Sequence, residues 1–186
     1  NVNVLSVPTK LVESKTVTKP FVALLLEYIV DRLPTLRTVT KHNAAVIVRL
    51  FKLTFSSVSH VPACETILRP RLQTIVITCF NCARDAKDPI NYFAVLRHVF
   101  RCLSTGKYES VYQELVPLLS GILESLNRLQ ANAHAQSLKD LFVELALTVP
   151  VRLTHILTCL PLMLQPIRLA LESASELAHF GLRLLE

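Results

Sequence analysis

Along most of the chain, apolar residues recur at the spacing of one face of an α-helix, and prolines stand where one helix gives way to the next. Within 138–146, Leu138, Leu141, Phe142, Leu145 and Ala146 fall at i, i+3, i+4, i+7 and i+8, with Lys139, Asp140 and Glu144 between them. Pro150 and Arg152 mark a corner. Leu153, Ile156, Leu157 and Leu160 then resume an apolar stripe in a helical segment broken again by proline. A helix pair of this kind buries one face by itself and needs a similar pair on each side.

The rest of the chain reads the same way. Residues 1–17 alternate weakly around Pro8 and read as a loop or a frayed helix end, with paired helices expected over 18–186. Pro20 sits in the first turn of a helix expected from Phe21 to Leu33, apolar nearly all round and therefore expected to be sandwiched. Pro34 ends it, and Thr35 is expected to cap a helix running to Ser59. On that helix Leu36, Val46, Ile47, Leu50 and Leu53 share one side, and Arg37, Lys41, Arg49 and Lys52 the other. Beyond the corner at 60–62, helices are expected to about Arg84 and over 90–103. The second of these opens at Asp88-Pro89 and closes before Gly106. A longer helix over 108–131 should kink at Pro117, and Ser173 with Glu176 should form a capping box.

The sum is eight or nine antiparallel paired helices without a strand. That is an all-α, HEAT-like helical-repeat solenoid, with residues 1–186 forming one segment of a longer array.

Composition sharpens this picture. Apolar residues make up 51% of the chain and charged ones 18%, so some helix faces are expected to be covered by protein outside it. Three glycines are too few for a turn-rich sheet protein or a phosphate-cradling loop. The absence of an initial Met and the uncapped Leu184-Leu185-Glu186 end point to a piece of something longer. The first twenty residues lack a signal-peptide pattern. The longest uncharged apolar run, Leu153–Ile167, has fifteen residues and two prolines. That falls short of the ~20 residues a membrane span needs, so no membrane partner is expected. Five cysteines, an odd number set in apolar helical patterns, read as buried reduced thiols.

Little chemistry is on offer. Cys79-x-x-Cys82 has the spacing of a redox or zinc pair, but it lies in mid-helix without a second pair at ligand spacing. The six histidines are scattered, and no hydrolase or phosphate-loop motif occurs. No enzyme activity, metal or cofactor is expected.

The informative polar feature is charge. Residues 1–110 hold fifteen Lys/Arg against seven Asp/Glu, and residues 111–186 five against seven. No acidic residue stands between Arg32 and Cys64. Arg37, Lys41, Arg49 and Lys52, with Arg97 and Arg101 on a later helix, are the candidate partner-binding residues. The plain reading is a solvated helix face, and the functional one is docking of an acidic protein segment. Nucleic-acid binding is disfavoured, because no aromatic residue interleaves with these cations to stack bases. Arg152 is a candidate brace across its corner, towards Glu144 or Asp140.

Three stretches carry a resemblance: NYFAVLRHVFR (91–101), YQELVPLLSGILESLNRL (112–129) and DLFVELALTVPVRLTHILTCLPLMLQPI (140–167). They closely resemble the transformation/transcription domain-associated protein family, pseudokinase scaffolds of the phosphatidylinositol-3-kinase-related group. The resemblance runs from about Asn43 to the C-terminus. It implies a nuclear, non-catalytic helical-repeat segment of a transcription coactivator. The implied partners are the other subunits of SAGA-type or nucleosome acetyltransferase complexes, neighbouring repeats of the parent chain, and acidic transcription activators. No family motif assigns activator contacts to positions here. The alternatives are a solenoid of another system, such as a nuclear transport receptor or another kinase-related scaffold, and a nucleic-acid-binding solenoid.

Overall fold

The computed structural model describes residues 5–86, 88–172 and 176–183, and among them eleven α-helical segments and no strand. They group into two compact units, residues 1–115 and 116–186.

The first unit begins with α1 (Ser6–Glu13), where the sequence pattern suggests a loop or a frayed end. Two interactions favour the helix. Val12 is fully buried, and the buried Thr18 hydroxyl donates to the carbonyls of Val12 (2.9 Å) and Leu11 (3.3 Å), fastening α1 to the next helix. Pro8 lies in the first turn, where its missing N–H has no helical acceptor to lose.

Helix α2 (Thr18–Arg32) buries Val22, Leu25, Leu26 and Ile29 on one side only. The expectation of a sandwiched helix therefore fails within this unit: Leu24 and Tyr28 are exposed, and the Arg32 guanidinium lies 5.2 Å from the Tyr28 ring centre.

A 3₁₀ turn over Leu33–Arg37 absorbs Pro34. Thr35 lies within it and donates its hydroxyl to Arg32, so it does not cap the following helix. That cap is Thr40, in extended conformation, whose hydroxyl accepts from the Asn43 amide at 3.3 Å. Helix α3 (Lys41–Ser56) then buries Ala44, Ile47, Val48, Leu50, Phe51 and Phe55, with a 3₁₀ turn to Ser59.

The short α4 (Glu65–Leu68) leads through a 3₁₀ turn holding Pro70 to α5 (Leu72–Arg84). Helix α6 (Ile90–Leu103) starts where expected, with the Ile90 amide donating to the Asp88 carboxylate. Gly106 follows its end at φ 76°, the left-handed position the sequence reserves for it. Helix α7 (Glu109–Leu115) closes the unit. Helix α3 packs on α2 and α6, and α5 on α6. The Glu65 carboxylate reaches across 45 residues to cap α7, accepting from the amides of Ser110 (2.6 Å) and Val111 (3.1 Å). Arg69 and Gln73 hold Glu114 on the same side.

Where one kinked α-helix was expected over 108–131, the α-helix stops at Leu115 and the chain passes without a gap through a 3₁₀ turn into the next α-helix. Pro117 occupies a 3₁₀ turn, Val116–Leu118, because its ring displaces the preceding turn and removes a hydrogen bond.

In the second unit α8 (Leu119–Asn132), α9 (Gln136–Thr148), α10 (Leu153–Glu172) and α11 (Glu176–Arg183) pack together. Helix α9 is buried all round at its C-terminal end, from Leu145 through Pro150. Arg152, half-buried, stands just beyond this corner.

Helix α10 is not broken by its prolines: Pro161 and Pro166 both lie inside one twenty-residue helix. Pro166 has no N–H for the Leu162 carbonyl four residues before it. The Asn127 side chain of α8 supplies the missing donor at 2.8 Å. By length and composition this helix is long enough to cross a membrane, a correction to the fifteen-residue reading. Its Cys159, Met163, Ile167 and Ala170 are nevertheless buried in the unit. The expected capping Ser173 lies outside the described residues.

Candidate partner-binding surface

Lys41, Arg49 and Lys52 project from the solvent-facing side of α3, away from the buried Ile47, and all three are exposed. At 100° per residue they lie within about 80° of one another on the helix wheel. Among the described residues none of them pairs with a carboxylate, as the acid-free sequence between Arg32 and Cys64 leads one to expect.

Arg37 is not on this helix. It is exposed on the preceding 3₁₀ turn, close to the buried Tyr92 near the start of α6. Lys52, near the end of α3, lies by His98 and Cys102 near the end of α6. Start meets start and end meets end, so α3 and α6 lie side by side and run the same way.

This juxtaposition unites the candidate residues of the two helices. Arg97 is half-buried and Arg101 exposed on α6, and both, with Lys52, act electrostatically on His98. Burial first, then these three cations, hold the His98 imidazole below its ordinary value. Periodicity alone places His98 on an exposed face; that Lys52 of α3 also acts on it depends on a neighbour far away in sequence. Beneath the surface, the buried Tyr108 hydroxyl donates to the Phe55 carbonyl at 2.6 Å and locks the end of α3.

The cysteines offer no comparable site. Cys79 is fully buried in α5, and burial pushes its thiol up, out of the reactive range. Cys82 is half-buried one turn on, and no group of three or more metal-ligating side chains occurs among the described residues. In the second unit a cleft of about 180 Å³ is lined by Gln130, Gln136, Lys139, Asp140, Leu169 and Glu172, with Asp140 already accepting from Gln136.

Paired helices with proline-marked corners and charge spread along a helix face define a helical-repeat protein of the HEAT class. The chain belongs to the Tra1 HEAT repeat central region family, which it matches over residues 1–186. It is 44% identical over 167 residues to the transformation/transcription domain-associated protein of Homo sapiens, covering 89% of this chain and 4% of that protein. It is 42% identical over 167 residues to the transcription-associated protein 1 of Drosophila melanogaster, with the same coverage. Against the SAGA complex/NuA4 acetyltransferase complex subunit TRA1 of Saccharomyces cerevisiae it is 35% identical over 172 residues, covering 91% of this chain and 5% of that protein. The chain thus spans about one-twentieth of the length of the relatives it matches.

Proposed function

We propose that this chain is a non-catalytic scaffold segment of a transcription coactivator, acting in the nucleus within a SAGA- or NuA4-type acetyltransferase complex. It is one segment of a longer HEAT solenoid, whose neighbouring repeats and fellow subunits are its packing partners. The observation that supports this is similarity along nearly the whole chain to a protein named as a subunit of both complexes. Tagged full-length protein should co-purify with acetyltransferase activity on histones. Its isolation free of that activity would count against the reading.

The surface of α3 and α6 is where an acidic activator segment would dock. It combines exposed Lys41, Arg49 and Lys52, unpaired among the described residues, with Arg97 and Arg101 on the adjacent helix and Arg37 at one end. Such a surface attracts an acidic chain from a distance and at low salt most strongly. Fluorescence anisotropy with a labelled acidic activation peptide should give saturable binding. Lys41→Glu, Arg49→Glu and Lys52→Glu together should weaken it at least tenfold and leave the melting temperature nearly unchanged, because all three side chains are exposed. Equal affinity of the triple variant would remove this surface from consideration. Preferential, steeply salt-dependent binding of DNA would instead support the nucleic-acid reading.

A further inference from the structure

Between α6 and α7 the chain makes one short loop, and its residues 104–107 are all exposed. The two hydroxyls of this loop are already engaged. Ser104 donates to the Phe100 carbonyl at 2.9 Å and Thr105 to the Cys102 carbonyl at 2.7 Å. Tyr108, buried and tied to the Phe55 carbonyl, fixes the far end. Lys107 is what the loop leaves unengaged. Among the described residues its backbone N–H, its carbonyl and its ammonium enter no hydrogen bond, and no carboxylate pairs with it. Just before it, Gly106 stands at φ 76°, and a Cβ there would meet nothing within 4 Å beyond its chain neighbours. The way to the lysine stem is open on that side.

We propose that Lys107 is an acetyl-acceptor site, modified by the acetyltransferase of the complex to which the scaffold reading assigns this chain. The inference rests on that reading and adds a substrate position to it. Backbone availability selects this lysine. An enzyme that modifies a side chain lays the flanking segment beside its own main chain, and the free N–H and carbonyl of Lys107 can supply those bonds. Gly106 lets the wall of the enzyme's channel come close, because no side chain intervenes. The other lysines of the described residues are less suited. Lys10, Lys19, Lys41, Lys52 and Lys139 stand on helices, where the chain cannot extend alongside an enzyme. Lys15 is in a turn at φ 60°, closed by the Thr16 amide on the Ser14 carbonyl at 2.7 Å and by contact of the two flanking hydroxyls at 3.0 Å. Membership of one assembly also raises the enzyme's effective concentration at the loop. In the reaction the enzyme's base removes one proton from the ammonium, and Nζ attacks the carbonyl carbon of acetyl-coenzyme A. The C–N bond forms, the C–S bond breaks, and the coenzyme leaves as its thiol after taking up a proton. One positive charge is lost from the loop.

The test uses the complex purified through a tag on the full-length protein. It is incubated with deuterated acetyl-coenzyme A, so that new acetyl groups are distinguishable from old ones, and labelled lysines are followed by peptide mass spectrometry. Lys107 should acquire label at least tenfold faster than Lys15 or any of the five helical lysines. A lysine–coenzyme A conjugate, which blocks the enzyme, should abolish that label. Gly106→Ala should slow it at least threefold, and Lys107→Arg should remove it without lowering the melting temperature. No label at Lys107, equal labelling of Lys15 or the helical lysines, or labelling that persists with the enzyme blocked would each overturn the proposal. If the same preparation acetylates histones while Lys107 stays unlabelled, the proposal falls and the scaffold reading stands. If no histone acetylation accompanies the protein, both fall.

Discussion

Removing the Asn127 amide should matter only as long as Pro166 is present. In α10 the proline cannot donate to the Leu162 carbonyl, and Asn127 of α8 does so at 2.8 Å. Asn127→Ala strips that acceptor of its partner at a part-buried position. An unsatisfied buried carbonyl costs about 1–3 kcal/mol, and partial water access places this one near the lower end, about 1–1.5 kcal/mol. Pro166→Ala restores a backbone N–H at the right place and relieves a helix interior of proline, which alone is worth up to about 3 kcal/mol before the loss of the buried ring is deducted. In that background the Leu162 carbonyl has its ordinary helical donor, and Asn127→Ala should cost less than about 0.5 kcal/mol. The coupling energy of the cycle is therefore about 1 kcal/mol. Urea unfolding of the four proteins, followed by circular dichroism with a common m-value, measures it. Equal losses from Asn127→Ala in both backgrounds would refute the substitution of one donor for the other.

Three other outcomes follow from the first unit. Glu65→Ala should remove about 1–2 kcal/mol of capping from α7, with Glu65→Gln intermediate, read as faster amide exchange at Ser110 and Val111 than in α3 or α6. Tyr108→Phe leaves the buried Phe55 carbonyl without this hydroxyl and should lower stability by about 1–2 kcal/mol in thermal melts. His98 is depressed in the folded state by burial and by Lys52, Arg101 and Arg97. The unfolded chain therefore binds more protons between that lowered value and about 6.5. Stability should fall as the pH drops through this window, and His98→Gln should flatten the dependence in urea titrations at pH 7.5 and 5.5.

Element type was legible because helical periodicity and proline corners are local signals. Gly106 and the Asp88-Pro89 start were legible for the same reason. What was not legible depended on partners far away in sequence. Thr35 and Thr40 are both credible caps, and only the 3₁₀ turn formed around Pro34 decides between them. Helix α10 presents apolar residues on two faces, so its spacing announces a helix and cannot say which face meets protein. Phe51 and Phe55 are fully buried, yet α3 is apolar over so broad an arc that its pattern does not single them out. Lys41, Arg49 and Lys52 were visible as one helix face, whereas their union with Arg97 and Arg101 required α3 and α6 to lie side by side. The Glu65 cap left no trace at all near Ser110.

That cap has a consequence for how the chain emerges during synthesis. Residues 66–109, which carry α5 and α6, separate the carboxylate from the amides it serves. Glu65 leaves the ribosome first and waits, while α7 gains its cap only once the intervening hairpin has closed and brought its start back to α4. The contact therefore forms only after the segment between its two ends has folded back. Until α5 and α6 have folded, the first turn of α7 lacks the Glu65 carboxylate.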